Sequence, residues 1–253
     1  PYGELEIMRL SNINLIIIKD YDEMSQKAAQ IVADIIRTKE SPILGLATGS
    51  TPVGMYKELV HMYKKGELDF NKTTTFNLDE YYPIHKENKQ SYHYFMKENL
   101  FNHVNINLSN TYIPNGMSQN SELECLQYDE KIRGIGGVDL QVLGIGSNGH
   151  IGFNEPGEFF EPKTQKVNLD QRTIEDNARF FTSIEEVPQQ ALSMGIGTIM
   201  SAKKILLLAS GENKAWAIKE MVKGKVTPRI PGSILQFHRD LVVVIDQEAA
   251  SQL

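Results

Sequence analysis

A histidine able to exchange a proton near neutrality lies in the glycine-rich segment 142–156 (VLGIGSNGHIGFNEP), with a carboxylate five positions further on, at His150 and Glu155. At that spacing the two do not share a helical face. A tight loop through Gly152 would nevertheless bring the Glu155 carboxylate back to hold the imidazole and raise its basicity, giving an acid–base pair. Gly144, Gly146 and Gly149 also spell G-x-G-x-x-G, which after a strand and before a helix would cradle a pyrophosphate. Here no apolar period of 3.6 resumes after Gly149, and Asn154, Pro156 and Gly157 favour turns, so a nucleotide site is disfavoured. A single histidine in a glycine-rich loop is usually structural. With no second His or Cys nearby, the segment gives no metal site.

Two further clusters have chemical potential. Asp79 and Glu80 are adjacent in the segment 77–82 (NLDEYY); neighbouring side chains on extended backbone point to opposite sides, so one carboxylate can face a pocket, with Asp79 the candidate general base, while the other serves structure. Taken alone, such a pair is better explained by a helix cap or a solvated turn. In Thr48-Gly49-Ser50-Thr51-Pro52, Pro52 can open a helix at its first turn. Gly49, Ser50 and Thr51 would then present free N–H groups to an anion at the helix's positive end, with phosphate the natural guest. An ordinary cap by Ser50 or Thr51 is an equal alternative, and the absence of a Walker lysine disfavours a nucleoside triphosphate.

Positioning these groups requires strands alternating with helices. The β-branched run at 14–19 precedes Asp20, a helix cap with Glu23 three residues on, and then Met24, Ala28, Val32, Ile35 and Ile36 on one helical face. The pattern returns at 43–46 before a helix from about Pro52, at 74–78 before a helix near Tyr92, at 138–145, at 204–209 before a helix over 214–222, and at 241–245. Near-continuous apolar strands imply parallel pairing with both faces covered. The expectation is a single doubly wound, Rossmann-like α/β domain over residues 8–253, with a mostly parallel sheet flanked by helices. In such sheets ligands gather at the carboxyl ends of the strands, where all three clusters fall.

Bulk properties suit an enzyme of small molecules. The 253 residues suffice for one sizeable core, and a net charge of -6 with scattered Lys and Arg argues against nucleic acid. No stretch reaches the ~18 apolar residues of a membrane span. Cys125 is the single cysteine and cannot form an internal disulfide, in keeping with a reducing cytoplasm. Residues 1–7 read as a remnant of expression and Met8 as the native start.

Together these segments resemble the glucosamine-6-phosphate deaminase family, whose Thr-Gly-x-Thr-Pro, Phe-Asn-x-Asp-Glu-Tyr and Gly-x-Gly-x-x-Gly-His-Ile-x-Phe-Asn-Glu-Pro motifs occur here in order. The similarity extends to Ser91-Tyr92, the segment 177–181, Val187-Pro188, 195–198 and Lys214-Ala215. It implies conversion of α-D-glucosamine 6-phosphate and water into D-fructose 6-phosphate and ammonia, with no cofactor. By the same resemblance His150, oriented by Glu155, opens the pyranose ring, and Asp79 carries a proton from C2 to C1. Gly49, Ser50 and Thr51 would take the phosphate with Arg179 and Lys214, and the polar stretch 158–177 would form an active-site lid.

Two departures from the family stand out. Asn148 occupies a position where many members have aspartate, so the amide can hold the imidazole without adding negative charge. Basic residues that bind N-acetylglucosamine 6-phosphate in allosteric members correspond to Gln165 and Val167, so no such activation and a hyperbolic substrate curve are expected. A 6-phosphogluconolactonase of the same fold, a sugar-phosphate isomerase without deamination and a non-catalytic sugar-phosphate sensor are the rivals. Monomer and homo-oligomer both stay open.

Overall fold

The computed structural model describes residues 13–253; the expectation for residues 1–7 lies outside them. Seven strands form one parallel sheet in the order β1-β10-β9-β6-β2-β3-β5. They are β1 (Ile13–Ile18), β2 (Ile43–Leu46), β3 (Thr74–Asn77), β5 (Thr111–Tyr112), β6 (Leu140–Leu143), β9 (Lys204–Ala209) and β10 (Leu241–Asp246). The central strands are apolar because helices cover both faces: all of β6 and β10 is buried.

The first helix, α1 (Tyr21–Thr38), starts as its sequence dictates, with the Asp20 carboxylate accepting the Glu23 N–H at 3.0 Å. Its apolar stripe, Met24, Ala28, Ala29, Val32, Ala33 and Ile36, is buried. It packs against α2 (Val53–Lys64), which follows β2. The other α-helices are α3 (Tyr92–Asn99), α4 (Ser121–Gly134), α5 (Gln171–Asn177), α6 (Ile196–Met200) and α7 (Ala215–Lys223). No helix among the described residues is long and apolar enough to cross a membrane.

A second, three-stranded antiparallel sheet was not expected: β4 (Asp79–Tyr82), β8 (Gln190–Ser193) and β7 (Gln165–Asn168), in the order β4-β8-β7. Two readings change with it. Asp79 and Glu80 belong to a strand rather than a solvated turn. The stretch 158–177 is not one free cover, since residues 165–168 are a sheet edge strand and Leu169 and Ile174 pack with Val187 and Ala191 in a small second core.

Candidate active site

Four neighbouring strands of the large sheet, in the order β9-β6-β2-β3, end at one crevice. From them come Lys214 (after β9), the His150 loop (after β6), the turn at 48–52 (after β2) and Asp79 (after β3). Gly49, Ser50, Thr51, Asp79, His150 and Lys214 line one cavity of about 400 Å³, together with Tyr92 and Phe153.

The two carboxylates of β4 divide their labour. Glu80 is wholly buried and accepts the main-chain N–H groups of Tyr81 at 2.9 Å, Tyr92 at 2.9 Å and His93 at 3.1 Å, with His93 Nδ1 at 2.8 Å. It therefore caps the positive end of α3. Asp79 points the other way, into the cavity; it is only 6% exposed. Burial, and secondarily the charge on Glu80, push its carboxyl up to about 8. A poorly solvated carboxyl of this kind is poised to take and return a proton near neutrality.

The histidine loop is folded back on itself. The Gly146 N–H donates to the His150 carbonyl at 2.9 Å, and a side chain at Gly146 would come within 2.0 Å of the imidazole, so this position must be glycine. Asn154 pins the far end, donating from Nδ2 to the carbonyls of Ile151 at 3.0 Å and Met194 at 2.8 Å. Behind the ring, Asn148 Oδ1 stands 2.7 Å from His150 Nδ1, and Asn148 Nδ2 donates to Glu155 Oε2 at 2.9 Å. Glu155 Oε1 is 3.5 Å from Nδ1. The carboxylate thus returns to the histidine as expected, with the amide wedged beside it. Burial holds the imidazole below its usual value of 6.5, Glu155 opposes that shift and the Lys214 charge adds to it.

The turn after β2 has an anion-binding form. Gly49 takes φ +92°, a region that favours glycine, and among the described residues the N–H groups of Gly49, Ser50 and Thr51 donate to no protein atom. Lys214 approaches with its ammonium anchored on the Ile145 carbonyl at 2.8 Å, and burial lowers its proton affinity. Arg179 is not brought in. It is exposed in the 3₁₀ turn Ala178–Phe180, its guanidinium 4.6 Å from the centre of the Phe180 ring. Phe180 and Phe181, however, line an adjoining cavity of about 480 Å³ with Gly49 and Ser50. Among the described residues no three His, Cys, Asp or Glu side chains cluster as metal ligands would.

Sequence reasoning passed over Tyr92 and Phe153 as cavity walls. Tyr92 packs on Tyr81 with ring centres 4.7 Å apart. The signal available for it was its place in the Ser91-Tyr92 pair, directly after the α3 cap.

Known proteins resemble this chain over most of its length. The family model for glucosamine-6-phosphate isomerases/6-phosphogluconolactonase matches residues 20–244. A glucosamine-6-phosphate deaminase of Clostridium botulinum is 56% identical over 241 residues, 95% of this chain and 99% of the relative. One from a Thermoanaerobacter species is 56% identical over 239 residues, 94% of each. The solved structure of a monomeric glucosamine-6-phosphate deaminase superposes with a TM-score of 0.90 at 44% identity, covering 95% of this chain and 100% of that one. A 6-phosphogluconolactonase from Thermotoga maritima, at 19% identity and a TM-score of 0.73, shares the fold over 93% of this chain and 100% of its own. By the extent of the family match and the identity to these relatives, the chain belongs to the glucosamine-6-phosphate isomerase/6-phosphogluconolactonase family.

Proposed function

We infer that this protein is an enzyme that deaminates glucosamine 6-phosphate, releasing fructose 6-phosphate and ammonia. The observation that carries the reading is Asp79: a buried carboxyl with its proton affinity raised to about 8, facing the same cavity as His150 and the anion-binding turn. Lactone hydrolysis needs only an activated water, whereas moving a proton between two sugar carbons needs a base that can hold it and give it back.

The steps follow from what each group can do. The phosphate docks on the free N–H groups of residues 49–51 and on the Lys214 ammonium, which fixes the sugar with its reacting end toward Asp79 and His150. His150, with Nδ1 directed at Asn148, offers Nε2 to take the proton of the anomeric hydroxyl and return it to the ring oxygen, opening the ring. Asp79 removes the C2 proton while the aldehyde oxygen takes a proton from the substrate's own ammonium group, leaving an enolamine, and then delivers its proton to C1. The resulting C2 imine adds water and expels ammonia. The change in oxidation level at C2 is balanced by the opposite change at C1, and the remaining steps are proton transfers and hydrolysis, so no external redox agent is needed. Arg179 joins the phosphate when the segment around Phe180 and Phe181 closes over the adjoining cavity.

A substrate panel tests the reading. Ammonia release from glucosamine 6-phosphate, without turnover of 6-phosphogluconolactone, is expected. Turnover of the lactone alone would replace the reading by a lactonase; binding of sugar phosphates with no turnover would replace it by a sensor.

A further inference from the structure

We propose that Tyr21 is a positioning residue for phosphate recognition, through its hydroxyl contacts with the turn at 49–51. This deepens the deaminase reading and rests on the phosphate site assigned there.

Tyr21 is the first residue of α1, far in sequence from every site motif. Its hydroxyl lies 2.9 Å from the Ser50 carbonyl and 3.1 Å from the Thr51 carbonyl, and accepts the Gly54 N–H at 2.9 Å. One phenol thus shares its hydrogen between two carbonyls of the turn and accepts one of the otherwise unpaired first N–H groups of α2. The close approach is built in at Gly54: a side chain there would come within 2.1 Å of Ser25 Oγ and 3.0 Å of the Tyr21 ring. Only with glycine at this position can the start of α1 lie against the start of α2 closely enough for the hydroxyl to reach.

The consequence is directional. In a trans peptide the carbonyl of one residue and the N–H of the next point in opposite directions. Drawing the Ser50 carbonyl toward Tyr21 therefore turns the Thr51 N–H away from Tyr21. Tyr21 lines an adjoining cavity that shares Ser50, Thr51 and Lys214 with the cavity holding Asp79 and His150, but does not itself line the latter. Pro52 has no N–H to offer, so of the two peptides whose carbonyls the Tyr21 hydroxyl meets only Ser50–Thr51 carries a donor, and the direction of the Thr51 N–H is what Tyr21 sets. Tyr56 secures Ala47, two residues before the turn, its hydroxyl 2.5 Å from that carbonyl.

Tyr21→Phe keeps the ring and removes only the hydroxyl. The expected result is a rise in KM for glucosamine 6-phosphate of about three- to ten-fold with kcat nearly unchanged. The dissociation constant of inorganic phosphate, measured by calorimetry on the same proteins, should rise in parallel. A purely structural tyrosine would lower the melting temperature and leave KM and phosphate affinity as they were, and that result overturns the proposal. So does a loss confined to kcat. The calorimetric arm keeps the two inferences apart: weaker phosphate binding by the variant of a protein that releases no ammonia upholds Tyr21 and rejects the deaminase.

Discussion

His150 and Asn148 are joined twice: the Asn148 side-chain oxygen accepts the His150 main-chain N–H at 3.1 Å and faces its Nδ1 at 2.7 Å. With Nδ2 of the same amide donating to Glu155, the oxygen must point at the ring, which fixes the proton on Nδ1 and leaves Nε2 as the acceptor. The amide thus sets the tautomer, and Glu155 supplies the only negative charge within this trio.

Removing that charge has a defined sign. Glu155 raises the proton affinity of His150 against the lowering by burial, so Glu155→Gln should shift the histidine further below 6.5. NMR titration of the imidazole reads the shift directly. The kcat should fall by roughly one to two orders of magnitude, less than the 10²–10⁴ expected for loss of the acid–base group itself in His150→Gln. An unchanged or raised titration midpoint would refute the assignment.

The raised carboxyl of Asp79 has a cost in stability. Unfolded, it titrates near 3.8; folded, near 8. Between those values the folded state keeps a proton that the unfolded state releases. The stability tied to this group is therefore complete below about pH 3.8 and is lost as pH rises to about 8. Asp79→Asn removes the dependence. Its melting temperature relative to the unsubstituted protein should climb between pH 5 and 8 and level off above; a pH-independent difference would show that Asp79 is not the perturbed group.

The same carboxyl should govern activity in the free enzyme. Acting as a base, it must be ionised, so kcat/KM should rise with pH to a plateau through a limb near pH 8. Glu80 contributes to that elevation, and Glu80→Gln should move the limb to lower pH. Because Glu80 also caps α3, the variant should lose about 0.5–2 kcal/mol of stability, measurable by urea unfolding. A limb that stays in place would contradict the coupling.

How much of this could be read in the residues depended on whether the signal was local. Apolar runs such as 205–208 and 242–245 gave away a buried parallel sheet, and Asp20 marked the start of α1, because both signals act within a few residues. The second sheet escaped notice because β4 and β7 are short and polar, and become strands only by pairing with β8 from elsewhere in the chain. For the same reason 158–177 looked like a featureless cover. The site loops were visible through their glycines and their carboxylates. Tyr21 was hidden at the start of an amphipathic helix, where its contact with Ser50 depends on how α1 packs against α2.

Lys214 is expected to act on binding more than on chemistry. Lys214→Met should raise KM by about 10- to 100-fold, as for loss of a hydrogen bond to a charged group, while kcat falls little. Steady-state kinetics separates the two. A collapse of kcat at unchanged KM would move Lys214 from the phosphate to the reacting end.

Regulation by an amino-sugar phosphate is not expected. Gln165 and Val167 line a cavity of about 230 Å³ whose charged wall residues are Glu155, Glu158 and Glu161, with Glu158 paired to Arg229, so no wall side chain offers a phosphate a positive charge. Substrate curves should be hyperbolic and unaffected by N-acetylglucosamine 6-phosphate. A sigmoidal curve that this ligand straightens would overturn the expectation.

The most direct test is the stoichiometry of ammonia and fructose 6-phosphate formed from glucosamine 6-phosphate in deuterated water by the protein and by Asp79→Asn. The account predicts equal amounts of both products, a loss of at least about 100-fold on substitution, and C1 of the product carrying hydrogen passed on from C2 or exchanged on Asp79. Ammonia release that survives the loss of the Asp79 carboxylate would contradict it.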